Sequence, residues 1–362
     1  MKVKKIALVG FRLSGGGGDR VMANLSKFFH KKGLDVHIII FHDALGYSCS
    51  GTIFNLGKLK SNKNSIFNKI NRFYHFNKYL KQHQFDFIID FRFRINFIQE
   101  FLISKIIYRT KAIYTVHSYK INEYFPDATW LANLIYQQSY AIISITNVMH
   151  GLIEAKYKFN KVLNIYNPVD VTYIDEAVTE KAPLDFEYII GVGQFDDNVK
   201  QFDKLIQAYA DSELPSQNIA LVILGKGTLK PTLVNLVNDN KISHLVHFLG
   251  FKSNPYVYMK HAKFYVLSSE AEGLPMVVLE ALACGTPVVA FDCPTGPKEI
   301  IQHESNGLLI DNQNMEALVN GLDRMLTDDA LYLNCKRNAK ASISKFSLDV
   351  VGEQWLDLMK YN

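Results

Sequence analysis

At 362 residues, with 48% hydrophobic and 21% charged side chains, the chain has ordinary globular composition and the length of two domains. No run of about 18 apolar residues exists, which excludes a membrane-spanning helix, and Cys49, Cys284, Cys293 and Cys335 show neither metal-ligand spacing nor disulfide density. The net charge of +5 hides an asymmetry: residues 1–171 hold 24 Lys and Arg against 10 Asp and Glu, net +14, while residues 172–362 hold 16 against 25, net −9.

The N-terminus, Met1 to Ile6, runs straight into a strand and lacks the small-residue cleavage site of a signal peptide, so a cytosolic, reduced protein is expected. Lys5 to Gly10 reads as a buried strand. It leads through Phe11-Arg12-Leu13-Ser14-Gly15-Gly16-Gly17-Gly18-Asp19-Arg20 into a helix with Val21, Leu25, Phe28 and Phe29 on its apolar face. Strand, Gly-rich turn and helix is how open α/β sheets hold phosphates, although four glycines also suit a tight turn with no ligand. Further strands are expected at Val36 to Phe41, Phe85 to Phe91, Ala112 to Val116 and Ala141 to Ile145. With helices between them they predict a parallel, doubly wound sheet.

Residues 58–84 interleave Lys58, Lys60, Lys63, Lys69, Arg72, Lys78 and Lys81 with Ile66, Phe67, Ile70, Phe73, Tyr74, Phe76, Tyr79 and Leu80. Ile66, Ile70, Phe73, Tyr74 and Leu80 fall near helical spacing. The stretch reads either as a surface helix packed on the sheet or as a basic helix lying on an anionic membrane. With no nucleic-acid motif in view, the basic half is expected to face a membrane and not nucleic acid. Arg92 and Arg94 follow a strand end, where they would meet an acceptor phosphate or simply be solvated. His117 ends the strand from Ala112, and a His at a strand's carboxyl end points into the crevice of an open α/β sheet, although a lone His is more often structural.

In the second half, strands are expected at Tyr188 to Gly193, Ile219 to Leu224, Val246 to Phe251 and Phe264 to Leu267, with helices at 313–327 and 329–343. The stretch Ser268-Ser269-Glu270-Ala271-Glu272-Gly273-Leu274-Pro275-Met276-Val277-Val278-Leu279-Glu280-Ala281-Leu282-Ala283-Cys284-Gly285-Thr286-Pro287-Val288-Val289-Ala290 reads as loop, short helix, turn and strand. Pro275 suits the first helical position and Gly285 the stop. Free N–H groups at Leu274, Met276 and Val277 make a positive helix mouth suited to a phosphate. Glu272 lies just outside that mouth and Glu280 about one turn inside it. Carboxylates beside an anion site are explained if they accept protons from sugar hydroxyls, so the pattern describes a nucleotide-sugar site. Asp196-Asp197 and Asp328-Asp329 read as loop and helix-cap residues and not as a metal clamp.

Glu272, seven residues, Glu280, and then Ala281-Leu282-Ala283-Cys284-Gly285-Thr286-Pro287-Val288-Val289 resembles the E-x7-E signature of retaining glycosyltransferases of family 4. The resemblance covers nearly the whole chain. It implies two Rossmann-like domains facing across a cleft (the GT-B fold), at 1–170 and 171–346, with residues 347–362 forming a helix that returns to the first. Asn167-Pro168-Val169-Asp170 resembles the family's entry to the second domain, and the acidic, strandless residues 171–186 would be the linker. By the same resemblance, the donor lies against Gly16, Gly17, Gln194, Lys200, Phe251, Glu272, Gly273, Leu274, Pro275, Met276, Val277 and Glu280. Gly15, Arg92 and Arg94 would serve the acceptor. Glu272, His117 and Lys200 would be catalytic, with His117 on the donor sugar and Phe251 near the nucleobase. Cys293 to Ile301 resembles another segment at the cleft.

Gln194 departs from the family pattern, which has an arginine here. Loss of that charge-assisted bond weakens anion contact by about 1 kcal/mol or more, so more of the leaving-group stabilisation falls to Lys200. The implied reaction is retaining transfer of a hexose or N-acetylhexosamine from a UDP-sugar to a saccharide acceptor, lipid-linked, for cell-surface glycans such as lipopolysaccharide or capsule. No metal or other cofactor is expected, and the implied place is the inner face of a bacterial cytoplasmic membrane. Two other readings share the site: a UDP-sugar 2-epimerase of the same architecture, which would consume donor without acceptor, and a non-catalytic sugar-nucleotide-binding module.

Overall fold

Runs such as Ile38-Ile39-Ile40 and Leu221-Val222-Ile223 are apolar at successive positions, so both faces of their strands must be covered, as in parallel sheets flanked by helices. The computed structural model of the protein describes residues 3–60, 66–178 and 181–360. It divides into two units, Met1–Pro168 with Leu348–Asn362, and Val169–Ser347.

In the first unit the elements run β1 (Lys5–Gly10), α1 (Gly17–Lys31), β2 (Asp35–Ile40), β3 (Thr52–Asn55), α2 (Ile66–His83), β4 (Phe87–Asp90), α3 (Phe97–Leu102), which continues into a π-helical turn at Ile103–Ile107, β5 (Lys111–Val116), α4 (Thr129–Tyr136), β6 (Ala141–Ser144), α5 (Asn147–Lys156) and β7 (Val162–Asn164). The second holds α6 (Val171–Ala177), β8 (Tyr188–Val192), α7 (Phe202–Asp211), β9 (Ala220–Leu224), α8 (Lys230–Asp239), β10 (Val246–Gly250), α9 (Tyr256–His261), β11 (Tyr265–Leu267), α10 (Met276–Ala283), β12 (Val288–Phe291), α11 (Pro297–Ile300), β13 (Gly307–Ile310), α12 (Met315–Thr327) and α13 (Asp329–Ser342). The last helix, α14 (Leu348–Leu358), belongs to the first unit.

Strand order is β3-β2-β1-β4-β5-β6-β7 in one sheet and β10-β9-β8-β11-β12-β13 in the other, parallel throughout. Each chain path starts in the middle, winds outward one way, then returns and winds the other way. The order therefore reverses between β1 and β4, and again between β8 and β11. Adjacent loops diverge at such a point and leave a crevice at the strands' carboxyl ends.

Three details differ from the sequence expectation. Residues 171–177, expected as linker, form α6. This helix packs on α9 and α10, and Asn254 Nδ2 donates to Ala177 O at 2.7 Å, so it belongs to the second unit. Pro275 is the N-cap of α10, with extended backbone, so the helix starts one residue later than expected. On α2 the inward face is Phe76 and Leu80, while Ile70 and Tyr74 lie exposed with Phe67; the side chain of Ile66, and Lys63, fall outside the described residues. No helix among the described residues is long and apolar enough to cross a membrane.

The return of α14 is built on close packing. Val351, Trp355 and Leu356 are buried, Lys32 pairs with Glu353, and Tyr140 Oη donates to Leu358 O at 2.9 Å. A Cβ on Gly352 would stand 2.4 Å from the Phe28 ring of α1, so only glycine lets the two helices approach this closely. Gly352→Val is expected to cost about 1–3 kcal/mol through overpacking. Thermal denaturation should show a lowered Tm, partly recovered when Phe28→Leu is added.

Candidate active site

At the reversal between β8 and β11, two loops are stitched together. Glu270 N–H donates to Val199 O at 2.8 Å, and Ser268 Oγ donates to Lys200 O at 2.9 Å. This brings Lys200, from the loop after β8, to Glu272, from the loop after β11. Glu272 Oε1 accepts from Lys200 Nζ at 2.5 Å and from Ser269 Oγ at 2.7 Å. The pair is largely shielded from solvent, so its two charges attract more strongly than an exposed pair would.

The backbone around Glu272 is pinned from the far side. Glu272 N–H donates to Pro294 O at 2.8 Å, Thr295 N–H donates to Glu272 O at 2.9 Å, and Thr295 Oγ1 donates to Gly273 O at 2.9 Å. Gly296 completes this contact: at φ 97°, a Cβ there would lie 2.4 Å from Gly273 O. The segment Cys293 to Ile301 thus positions the Glu272 loop. Its Thr295 carries a contact that sequence reading did not single out.

The first helical hydrogen bond at α10 is Val278 N–H to Pro275 O, at 3.0 Å. The N–H groups of Leu274, Met276 and Val277 come ahead of it, at the positive end of the helix. Glu280 lies inside α10 at 4% exposure, so it is not an ordinary solvated helix residue. Glu272 and Glu280 both act on the buried Tyr265, whose hydroxyl donates to Val192 O at 3.2 Å; burial raises that phenol first, and the two carboxylates add to it. Gln194 is exposed just past β8. Phe251 follows β10, two strands out from the reversal, 63% exposed, with Lys226 Nζ 5.8 Å from its ring. Asp328 caps α13 by accepting from Leu331 N–H, and Asp196 and Asp197 accept from loop amides.

The first unit carries its own constellation. His117 follows β5 and stacks on Phe91, with ring centroids 5.5 Å apart. A Cβ on Gly18 would be 3.7 Å from the imidazole, so the start of α1 lies against the ring. The tautomer follows from proton counting. Thr115 Oγ1 has one proton and gives it to Asp90 O at 3.0 Å; it therefore accepts from His117 Nε2–H at 2.9 Å. Nδ1 keeps its lone pair, buried and without a well-formed hydrogen bond, although Asn167 comes near.

Arg92 and Arg94 are not solvent-facing, which corrects their reading as acceptor contacts. Both are fully buried. Arg92 makes paired bonds to Asp90 (Nη2–Oδ2 2.7 Å, Nε–Oδ1 3.0 Å) and to Glu100 (Nη2–Oε2 2.9 Å, Nη1–Oε1 3.2 Å), and Tyr108 Oη donates to Asp90 Oδ2 at 2.9 Å. Arg94 donates to Arg92 O and Thr115 O, and the rings of Tyr114, Tyr124, Phe125 and Tyr136 surround it at 5.0–5.6 Å. Of the six guanidinium nitrogens all but Arg94 Nε donate within the protein, and both side chains are closed off from solvent, so an acceptor phosphate has nothing to reach.

Asp19 is the residue that sequence reading missed. Burial pushes its carboxyl up to about 6, against the pull of Arg12 and of the Gly16 and Ser14 amides. The Asp19 carboxyl thus lies at the Gly16 and Ser14 amides of the Gly-rich turn, with Arg12 Nε donating to Oδ2 at 3.3 Å. An acidic residue in the first turn of a helix that follows a Gly-rich loop was the available signal.

Comparison with solved structures gives the class. The structure of S. aureus TarM with Fondaparinux, alpha-GlcNAc-glycerol and UDP matches at TM-score 0.78 over 99% of this chain and 100% of that one, at 16% identity, and the fold is that of GT-B glycosyltransferases. Residues 15–173 match the family model "Glycosyltransferase Family 4" and residues 175–342 match "Glycosyl transferases group 1". An uncharacterized glycosyltransferase of Methanocaldococcus jannaschii is 30% identical over 71% of this chain and 70% of its own. The Campylobacter jejuni N-acetylgalactosamine-N,N'-diacetylbacillosaminyl-diphospho-undecaprenol 4-alpha-N-acetylgalactosaminyltransferase is 28% identical over 99% of both. The chain belongs to glycosyltransferase family 4.

Two outcomes check this geometry. Arg92→Met strands two buried carboxylates and is expected to cost about 3–5 kcal/mol in chemical denaturation. For His117, burial, aided by the Arg94 cation, lowers the imidazole from 6.5 to about 3. Its neutral form therefore contributes stability that is complete above pH 6.5 and is lost as pH falls toward 3. The stability difference between wild type and His117→Asn should shrink steadily over that window. A difference that stays flat would contradict the buried, neutral assignment.

Proposed function

We propose that this glycosyltransferase moves a hexose or N-acetylhexosamine from a UDP-sugar to a lipid-linked saccharide with retention of configuration and without a metal ion. The observation that carries the reading is the Lys200–Glu272–Ser269 cluster, set beside the mouth of α10. A diphosphate laid on the amides of Leu274, Met276 and Val277 would draw Lys200 partly off Glu272. Lysine and helix mouth together would then stabilise the charge that develops as the nucleotide departs, the task a metal ion performs in other transferases. Gly273 and Pro275 shape this mouth, and Gln194 adds a neutral donor in place of a guanidinium.

Glu272, released from half its ion pair, would take hydroxyls of the transferred sugar, and Glu280 those of the ribose. The acceptor hydroxyl would attack from the side of the leaving group, with the departing phosphate as base, which keeps the anomeric configuration. Neutral His117, with its Nδ1 lone pair beside Asn167, would accept from a sugar hydroxyl beside the start of α1, near Gly15, Gly16 and Gly17. Phe251, exposed at the same edge of the sheet as Gln194, would flank the base.

The names of relatives support the substrate class. The Campylobacter enzyme is named for a diphospho-undecaprenol acceptor, and TarM was solved with UDP. Together with the excess of positive charge in residues 1–171, they favour work on lipid-linked glycans at the inner face of a bacterial cytoplasmic membrane, without nucleic acid.

A thermal-shift screen over nucleotide sugars identifies the donor, since a ligand that binds only the folded state raises Tm. With that donor, Glu272→Ala is expected to lower kcat by about a hundredfold or more. Glu280→Ala should mainly raise donor KM. Activity should survive a chelator; a strict need for Mg²⁺ would refute metal independence, and wild-type kcat in Glu272→Ala would refute the site.

A further inference from the structure

In the first unit the connections after β3, β4, β5 and β6 all run in one direction across the sheet, so right-handed crossovers put α2, α3 with its π turn, α4 and α5 on one face. Contacts agree with this: Phe76 of α2 meets Tyr108, just past the π turn, ring to ring at 6.1 Å, and α4 packs on the π turn. These neighbouring elements carry apolar residues on their outer sides as well as their inner ones. Phe67 is 77% exposed, Ile98 78% and Trp130 70%, with Ile70, Ile106 and Leu134 exposed beside them. Spacings of three, four and eight residues within each element make these outward stripes and not scattered positions.

The exposed charges of α2, α3 and the π turn have one sign, and α4 carries none; the exposed acids nearby, Asp127 and Glu154, lie ahead of α4 and on α5. α2 contains no acidic residue, and Lys69, Lys78 and Lys81 are exposed. Across α3 and the π turn Lys105 is exposed, whereas the acid, Glu100, is buried against Arg92. Arg72 does not join this surface, because it donates inward to Phe41 O. An apolar patch across several elements is unusual on a protein surface that meets only water. Apolar side chains framed by lysines suit an anionic bilayer, where the rings and aliphatic groups enter the headgroup boundary and the ammonium groups meet lipid phosphates.

We propose that this platform, centred on α3, its π turn and α4 and flanked by α2, is where the protein docks on an anionic bilayer, with Trp130 entering the interface. The proposal deepens the membrane reading above and moves the contact from a basic helix to an apolar platform. Charge alone would hold the protein at the surface; the platform inserts.

The chain has two tryptophans, and Trp355 is buried in α14, so Trp130 reports its own surroundings. With vesicles of equal parts phosphatidylcholine and phosphatidylglycerol, emission should shift to shorter wavelength and the full-length protein should co-sediment. The shift should vanish in Trp130→Phe. Ile98→Glu with Ile106→Glu, both at exposed positions, should keep the wild-type Tm and weaken vesicle binding about tenfold or more. Turnover with a short-chain soluble acceptor should be unchanged, which separates this test from that of the transfer reaction. Binding without a Trp130 shift, unaffected by the double variant, would overturn the platform while leaving an electrostatic membrane contact. A concentration-dependent dimer abolished by the same variant, with no vesicle binding, would overturn it in favour of a second copy of the chain.

Discussion

The ion pair between Lys200 and Glu272 holds the second unit's site together. It bridges two loops that leave adjacent strands at the point where the strand order reverses, and bonds from the Glu270 amide and the Ser268 hydroxyl fix the same junction. A lysine left alone in a partly dry crevice would carry an uncompensated charge. Glu272 provides the compensation, and Ser269 and the Thr295 loop hold it in place. The Lys200–Glu272 pair is thus charge-balanced, and under the proposed function a nucleotide sugar would exchange one anionic partner of Lys200 for another without a large cost in desolvation.

The first unit handles charge by a different route. Two arginines and two carboxylates are buried beneath the strand ends: Arg92 pairs with both carboxylates, and aromatic rings fill the space around Arg94. The network ties β4 to the start of α3 and supports Thr115, which fixes the hydrogen bonding of His117. Arg94 also lends its positive field to the imidazole and opposes its protonation. These arginines therefore hold Thr115 and tune His117 from beneath. In the Gly-rich turn, the Asp19 carboxyl lies at the Gly16 and Ser14 amides.

The outer surface of the first unit follows a separate logic. Its helices are apolar on both sides, inward for the sheet and outward across neighbouring elements, and the exposed charges of α2, α3 and the π turn are positive. An asymmetry of charge between the halves of the chain is visible at the level of composition. Its spatial form, a framed apolar platform, depends on which side of each helix the core takes.

Periodic and local features were legible in the amino-acid order. Apolar runs alternating with helices imply parallel doubly wound sheets, and the Glu272 to Val289 segment carries a helix mouth, two carboxylates and a stop in a spacing that points to family 4. Those features depend on neighbours in the chain, so sequence suffices for them. Tertiary structure alone decided what depends on packing between elements. Arg92 and Arg94 look like free cations until Asp90, Glu100 and four aromatic rings close around them. Residues 171–177 look like linker until α9 and α10 give them a surface to pack on. Ile70 and Tyr74 look like core until Phe76 and Leu80 take the inward side of α2. In each case the deciding quantity was burial, which is set by how the elements pack and not by spacing along the chain.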